Sequence, residues 1–362
     1  MNLLRTSAEF ATVFIFTLAF LFYARKAAKH VGLVDRPGLR KRHQGAIPLA
    51  GGVSVMAGIC FAFAIMHHHI PQIRLYLFSA WVLVFIGILD DRFDVSVKIR
   101  ALVQAIIALV MMFTGKLYLL SFGFILGPWE MVVGPFGYIL TLFAVWASIN
   151  AFNMIDGIDG LLGCLSCVTF LAMGILLFSS GYISLGIWCL IMITTITPHI
   201  LFNLGIMGRR YKVFMGDAGS TLIGFTIIWI LLESTQGELP AIAPVTALWL
   251  IAIPLMDMVA IMYRRMSKGM SPFAADRQHI HHLIMRAGFT SGQTLMLITL
   301  IAVLLAGIGV LGQNLSFISD WIMFSLFLLI FIFYGYCIKH AWRVARFIKR
   351  MKRRFDHRTS EG

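Results

Sequence analysis

Apolar runs long enough to cross a bilayer recur along the whole of this chain, and that repetition leaves few folds open. About twenty apolar residues in a helix span the ~30 Å hydrocarbon layer. Inside lipid the backbone must satisfy its own N–H and C=O groups, which helices do. Eleven runs are legible, at 8–24, 47–66, 75–90, 101–114, 137–153, 161–178, 183–202, 220–235, 244–263, 294–312 and 321–338. The expectation is an all-α polytopic membrane protein of about eleven transmembrane helices. Composition agrees, because only 13% of the 362 residues are charged, against about 25% in soluble domains.

Arg25, Lys26 and Lys29 follow the first run instead of preceding it, so it reads as a retained span and not as a cleaved signal. Cys164 and Cys167 form a CxxC, but without a second pair they read as small apolar helix residues. The net charge of +14 looks like a nucleic-acid signal until its distribution is traced. Eleven spans put segments 25–46, 90–100, 154–160, 203–219, 264–293 and 339–362 on one side, with 27 of the 30 Lys and Arg residues. Only Arg5, Arg74 and Lys116 fall opposite. Basic residues mark the cytoplasmic side, so the N-terminus is expected in the periplasm and the C-terminus in the cytoplasm. Residues 1–338 read as one transmembrane domain. Residues 339–362 form a basic cytoplasmic tail, whose Trp342, Phe347 and Phe355 suit an anionic lipid surface better than RNA.

Carboxylates break the apolar pattern at span ends on that same side. A carboxylate within a span costs roughly 2.5–3.5 kcal/mol, so one that persists there has a partner or a task. DDRFD places Asp90, Asp91 and Asp94 at the end of the third run. If the helix continues, Asp90 and Asp94 share a face. Arg92, Lys98 and Arg100 also allow a plain salt-bridged turn, and a bound cation is the alternative. NAFNMIDGIDG holds Asn150, Asn153, Asp156 and Asp159 with Gly157 and Gly160. Four polar groups in ten residues exceed what a helix cap needs, and amides suit a nucleobase edge or sugar hydroxyls.

RRYKVFMGDAGS sets Asp217 between glycines just before a span, with Phe214 available to stack on a base or simply to pack. It is neither a GxxxxGK nor a GxGxxG loop. Asp257 lies inside the ninth run and reads first as a helix-to-helix hydrogen-bonding group. The segment from Arg264 carries Asp276 and then His279, His281 and His282. His279 and His282 are three apart and would share a helix face. No HExxH or cysteine set accompanies them, so zinc is disfavoured. With several carboxylates nearby, Mg2+ or Mn2+ is the better ion. On the opposite side the run His67, His68 and His69 has no acidic companion and reads as incidental.

In this order, RKRHQGAIPLAGG, DDRFD, NAFNMIDGIDG, VFMGDAGS, PLMDMVAIMYRR and DRQHIHH resemble the polyprenyl-phosphate N-acetylhexosamine-1-phosphate transferase superfamily. The HIHH form after DRQ is similar to the bacterial branch that uses UDP-GlcNAc; the UDP-MurNAc-pentapeptide branch carries three consecutive histidines there. The resemblance implies a catalytic domain over 1–338 with active-site loops 25–46, 90–100, 150–160, 203–220 and 264–293. It implies transfer of GlcNAc-1-phosphate from UDP-GlcNAc to undecaprenyl phosphate in the bacterial inner membrane, opening O-antigen and enterobacterial common antigen synthesis. Mg2+ is implied as cofactor, with Mn2+ the alternative, and a homodimer is left open.

Carried over by motif, Asp217 is a metal ligand with Asp91 a second, and Asp90 or Asp91 is the catalytic carboxylate. Asn150, Asn153, Asp156, Asp159, Phe214, Arg265, His279, His281 and His282 become substrate-binding. Lys41 or His43 stands for the superfamily's first-loop lysine. The rival readings are the pentapeptide-using enzyme and a polytopic transporter, although transporters place polar groups near the bilayer midplane.

Overall fold

The computed structural model describes residues 3–36, 45–66, 70–237, 239–271, 279–315 and 318–340, with 343 and 346. The architecture of these residues is almost entirely helical, as expected. Its helices are α1 (Leu3–His30), α2 (Gly51–Ile65), α3 (Ile73–Phe93), α4 (Val97–Gly115), α5 (Phe136–Ile155), α6 (Leu161–Ser179) and α7 (Ile183–Asn203). They continue with α8 (Gly216–Thr235), α9 (Pro244–Leu250), α10 (Ala252–Met266), α11 (Ile280–Arg286), α12 (Ser291–Asn314) and α13 (Asp320–Lys339). Two short strands, β1 (Val34–Asp35) and β2 (Ile47–Pro48), pair antiparallel between α1 and α2.

Each of the eleven expected runs is helical, but two are not straight spans. α2 has 15 residues, about 22 Å at 1.5 Å each, short of the hydrocarbon thickness. The ninth run breaks at Ile251, and α9 and α10 meet at 82°. Pro254 explains the break. It has no N–H for the Leu250 carbonyl four residues back, and its ring collides with that carbonyl in a continuous helix. The freed carbonyl instead accepts a 3.0 Å bond from Thr169 Oγ1 on α6. The other nine runs are long and apolar enough to cross a membrane.

α8 is the axis of the molecule, with 94% of its apolar window buried, against 17% for α1 and α13. A helix that is apolar all round belongs inside a bundle. α3 and α5 flank it: Tyr76 and Thr226 share a 2.7 Å hydroxyl bond, and Ser148 Oγ donates to the Gly224 carbonyl at 2.7 Å. At one end of the bundle Gln236 ties α8 to the backbone of Leu120 and Ser121. The opposite end gathers the start of α8, the ends of α3 and α5, and the start of α4, and there the carboxylates meet.

Candidate active site

Close backbone approach builds this end. A Cβ on Gly52 would strike the backbone of Gly219, and one on Gly87 would strike Ala218. Small residues thus let α2 and α3 rest directly on the first turn of α8. Gly216 starts that turn at φ +75°, where a side chain would also run into the Asp91 carboxylate. The GAIPLAGG segment pairs with VFMGD alongside. Phe214 N donates to Pro48 O at 2.9 Å, and Gly51 N and Gly52 N donate to Phe214 O and Met215 O at 3.1 and 3.0 Å.

On this frame Asp91 accepts two backbone N–H groups, from Asp217 at 2.8 Å and Ala218 at 3.3 Å. It thereby satisfies two donors that a helix start leaves unpaired. Asp217 accepts from Asn153 Nδ2 at 2.6 Å, and the same amide reaches Ser220 Oγ at 2.9 Å. Arg100, in the first turn of α4, donates from Nη1 to Asp90 and lies 3.5 Å from Asp217 Oδ2. Five polar side chains from α3, α4, α5 and α8 therefore form one network: Asp90, Asp91, Arg100, Asn153 and Asp217.

The structure departs from the sequence reading in one place here. α3 ends at Phe93, and Asp94 is an exposed left-handed cap at φ 55°. Asp94 therefore does not share a helical face with Asp90, and Asp91 is the partner that matters. Asn150 donates to the Trp146 carbonyl of its own helix at 2.7 Å and makes no bond to the cluster.

The DGIDG turn stands next to this network. Asp159 Oδ2 pairs with Lys212 Nζ at 2.5 Å, and that ammonium lies 5.3 Å from the centre of the Phe214 ring. Water reaches Asp156, yet protein surrounds it closely enough that burial, then the charges of Asp217 and Asp159, push its carboxyl up to about 7. Asn203, which sequence reasoning missed, joins this turn to the VFMGD loop: its Oδ1 accepts from Gly160 N at 2.5 Å, and its Nδ2 donates to Val213 O at 2.9 Å. Arg100 was legible only as a charge partner of DDRFD.

The histidines close the other flank. α11 begins at Ile280, so His279 is its extended cap at ψ 157°. As the cap, His279 lies outside the helical face that His282 occupies. The rings of His279 and His281 stack in parallel, 5.6 Å apart, which corrects the expected 279–282 pairing. His282 lies 4.2 Å from His281. The His281 ring sits against Gly157, where any Cβ would collide with it. It is 1% exposed, and burial, then His282 and His279, push its imidazole down to about 3 against the opposing pull of Asp257.

Asp257 is a helix-to-helix hydrogen-bonding group, as read, and it also grips the histidine segment: Oδ2 lies 2.7 Å from His279 Nδ1 and Oδ1 accepts from Ile280 N at 3.0 Å. Arg265 is buried at the end of α10. Lys41, His43, Asp276, His67–His69 and the tail aromatics lie outside the described residues.

Among the described residues no three His, Cys, Asp or Glu side chains converge into a complete metal-binding group. Mg2+ does not require such a group, because it keeps waters and uses one or two carboxylates together with substrate phosphates. Asp217 supplies such a hard oxygen donor, and Asp90 beside it is engaged by Arg100. Asp91 has committed an oxygen to each of two N–H groups and is the weaker ligand.

Comparison with known proteins meets the same residues. The glycosyl transferase family 4 model matches residues 73–235, from the first residue of α3 to the last of α8. An undecaprenyl-phosphate alpha-N-acetylglucosaminyl 1-phosphate transferase of Yersinia pestis is 69% identical over 354 residues, 98% of this chain and 97% of that protein. The protein of the same name from Escherichia coli strain K12 is also 69% identical, over 98% of this chain and 96% of its own length. The chain belongs to the undecaprenyl-phosphate alpha-N-acetylglucosaminyl 1-phosphate transferase family. A member from Pasteurella multocida retains 54% identity across 94% of this chain. Family membership makes the protein a membrane-embedded transferase. The α3–α8 match contains the whole carboxylate network, while the histidine segment lies beyond it.

Proposed function

We propose that the protein transfers GlcNAc-1-phosphate from UDP-GlcNAc to undecaprenyl phosphate, releasing UMP, at the cytoplasmic face of the bacterial inner membrane. The observation that carries this reading is the network of Asp90, Asp91, Arg100, Asn153 and Asp217, drawn from four helices at one end of the bundle. The excess of Lys and Arg in segments bordering that end supports its cytoplasmic placement.

In the reaction an oxygen of the lipid phosphate attacks the β-phosphorus of UDP-GlcNAc, and the bond to the bridging oxygen breaks, so UMP departs. Two anions must approach each other, and cationic groups placed beforehand lower that cost. Arg100, between Asp90 and Asp217, meets the incoming phosphate and in leaving Asp90 uncovers it. Asp90 then takes the proton from the lipid phosphate. Asp91 acts from behind, by fixing the backbone that carries Asp217. Lys212 and Asp159, beside Phe214, hold the nucleotide end, and Asn153 orients Asp217. His279 contacts the diphosphate. Asp217 would hold Mg2+, with Mn2+ the alternative, and the ion would supply charge neutralisation of the diphosphate when bound.

The test uses the full-length protein in detergent with undecaprenyl phosphate, Mg2+ and radiolabelled donors run in parallel. Label from UDP-GlcNAc is expected in the lipid phase with one UMP released per transfer. Transfer from UDP-MurNAc-pentapeptide alone would refute the donor assignment, and no UMP release from either would refute the transfer chemistry.

A further inference from the structure

Asp257 accepts a third hydrogen bond that the reaction scheme does not use. Tyr334, on the lightly buried helix α13, donates its hydroxyl to Asp257 Oδ1 at 2.6 Å. The carboxylate is 1% exposed. Oδ1 is thus held by Tyr334 and the Ile280 N–H, and Oδ2 is left to face His279 Nδ1. Among the described residues this is the side-chain hydrogen bond that joins α13 to another helix; those of Ser325 and His340 stay within α13. α13 otherwise presents exposed Ile332, Phe333 and Tyr336 on either side of Tyr334. A phenol reaching inward from so lightly packed a helix serves the carboxylate it touches.

We propose that Tyr334 is a positioning residue of the transfer reaction: it locks the Asp257 carboxylate so that Asp257 fixes the ring of His279. A carboxylate on one imidazole nitrogen sets the tautomer and the aim of the other. With Nδ1 turned to Asp257, Nε2 is the nitrogen directed away from it, toward the substrate. Without the phenol, Asp257 has one fewer restraint on its rotation, and the His279 ring follows it. The inference rests on the reading of His279 as a diphosphate contact.

The experiment compares Tyr334→Phe, Asp257→Asn, the double variant, Tyr336→Phe and His279→Ala in full-length protein. It measures kcat, KM for UDP-GlcNAc and thermal midpoint. Tyr334→Phe keeps the ring and its packing, so the midpoint stays within about 2 °C, while kcat falls about tenfold, as for one lost bond to a charged group. KM changes less than about twofold, because aim and not binding is lost. Asp257→Asn falls further, and Tyr334→Phe adds nothing on top of it, since both act through one contact. Tyr336→Phe, exposed on the same helix, retains full activity.

A native kcat in Tyr334→Phe overturns the inference. So does a lowered midpoint with native kcat per folded molecule, or losses that multiply in the double variant. Full activity in His279→Ala removes the histidine from the reaction and the inference with it. An inactive His279→Ala beside a fully active Tyr334→Phe refutes only the role of Tyr334.

Discussion

Asp91→Asn separates two functions that adjacent carboxylates can have. In the native protein both oxygens of Asp91 accept N–H groups, from Asp217 and Ala218, at the first turn of α8. An asparagine retains one acceptor and turns an NH2 toward the other donor, so one bond is lost and two donors oppose each other. A hydrogen bond to a charged group contributes about 1.5–3 kcal/mol, which corresponds to about ten- to a hundredfold in rate if it is expressed in the transition state.

The Asp217 backbone carries the side chain that Asn153 and Arg100 hold. The loss should therefore appear as a displaced Asp217. The expected result is a kcat lowered about ten- to a hundredfold together with a raised Mg2+ requirement. Asp90→Asn, which removes the proposed proton acceptor, should cost about a hundredfold or more with the Mg2+ requirement less affected. Initial rates of UMP release across a Mg2+ titration measure both. Native activity in Asp91→Asn would refute the positioning role. So would abolished turnover with unchanged Mg2+ dependence, which would make Asp91 the proton acceptor.

Three further outcomes follow from the same geometry. Lys212→Met removes the partner of Asp159 and a cation beside Phe214; both groups are partly exposed, so KM for UDP-GlcNAc should rise only about fivefold, measured by donor titration. Gly157→Ala places a methyl in the His281 ring, an overpacking cost of about 1–3 kcal/mol, so thermal midpoint and kcat should fall together and His281→Ala in the same chain should recover the midpoint. His281 stays neutral in the fold, at about 3 against 6.5 unfolded; as pH falls below about 6.5 the unfolded chain gains a proton that the fold refuses, so stability falls. Asp156, raised to about 7, loses its folded-state advantage as pH rises instead, and it is common to both chains when midpoints of native and His281→Met protein are compared between pH 7 and 5. The native protein should lose more, and parallel slopes would refute the assignment.

The helical class and the eleven apolar runs were legible because hydrophobic length carries that information directly. The break in the ninth run was not. Pro254 was visible, but spanning helices tolerate proline when neighbours satisfy the freed carbonyl. Here Thr169, more than eighty residues away, accommodates a break and not a mild kink. The end of α3 was readable in hindsight. Ser96 caps α4, its Oγ accepting from Ile99 N at 3.5 Å, and a cap at that position requires the preceding helix to stop first. That stop turns Asp94 into an exposed cap and takes it away from Asp90.

The same distinction governs the site. Asp90, Asp91, Asn153, Asp156, Asp159 and Asp217 could be picked out because a carboxylate or amide at the end of an apolar run has no cheap explanation. Arg100, Asn203 and Tyr334 could not, because each has one: a basic residue at a membrane edge, an amide near a helix end, an aromatic in a span. Their importance exists only across helices, where Arg100 reaches two carboxylates from different helices and Asn203 holds two loops. Three carboxylates this close repel one another, and folding must oppose that cost. The bare contacts of Gly52 and Gly87 with the first turn of α8 bring the charges together, and the N–H groups, Asn153 and Arg100 compensate them. Substrate phosphates thus arrive at a site whose negative charge is already arranged and whose guanidinium already has a reason to change partners.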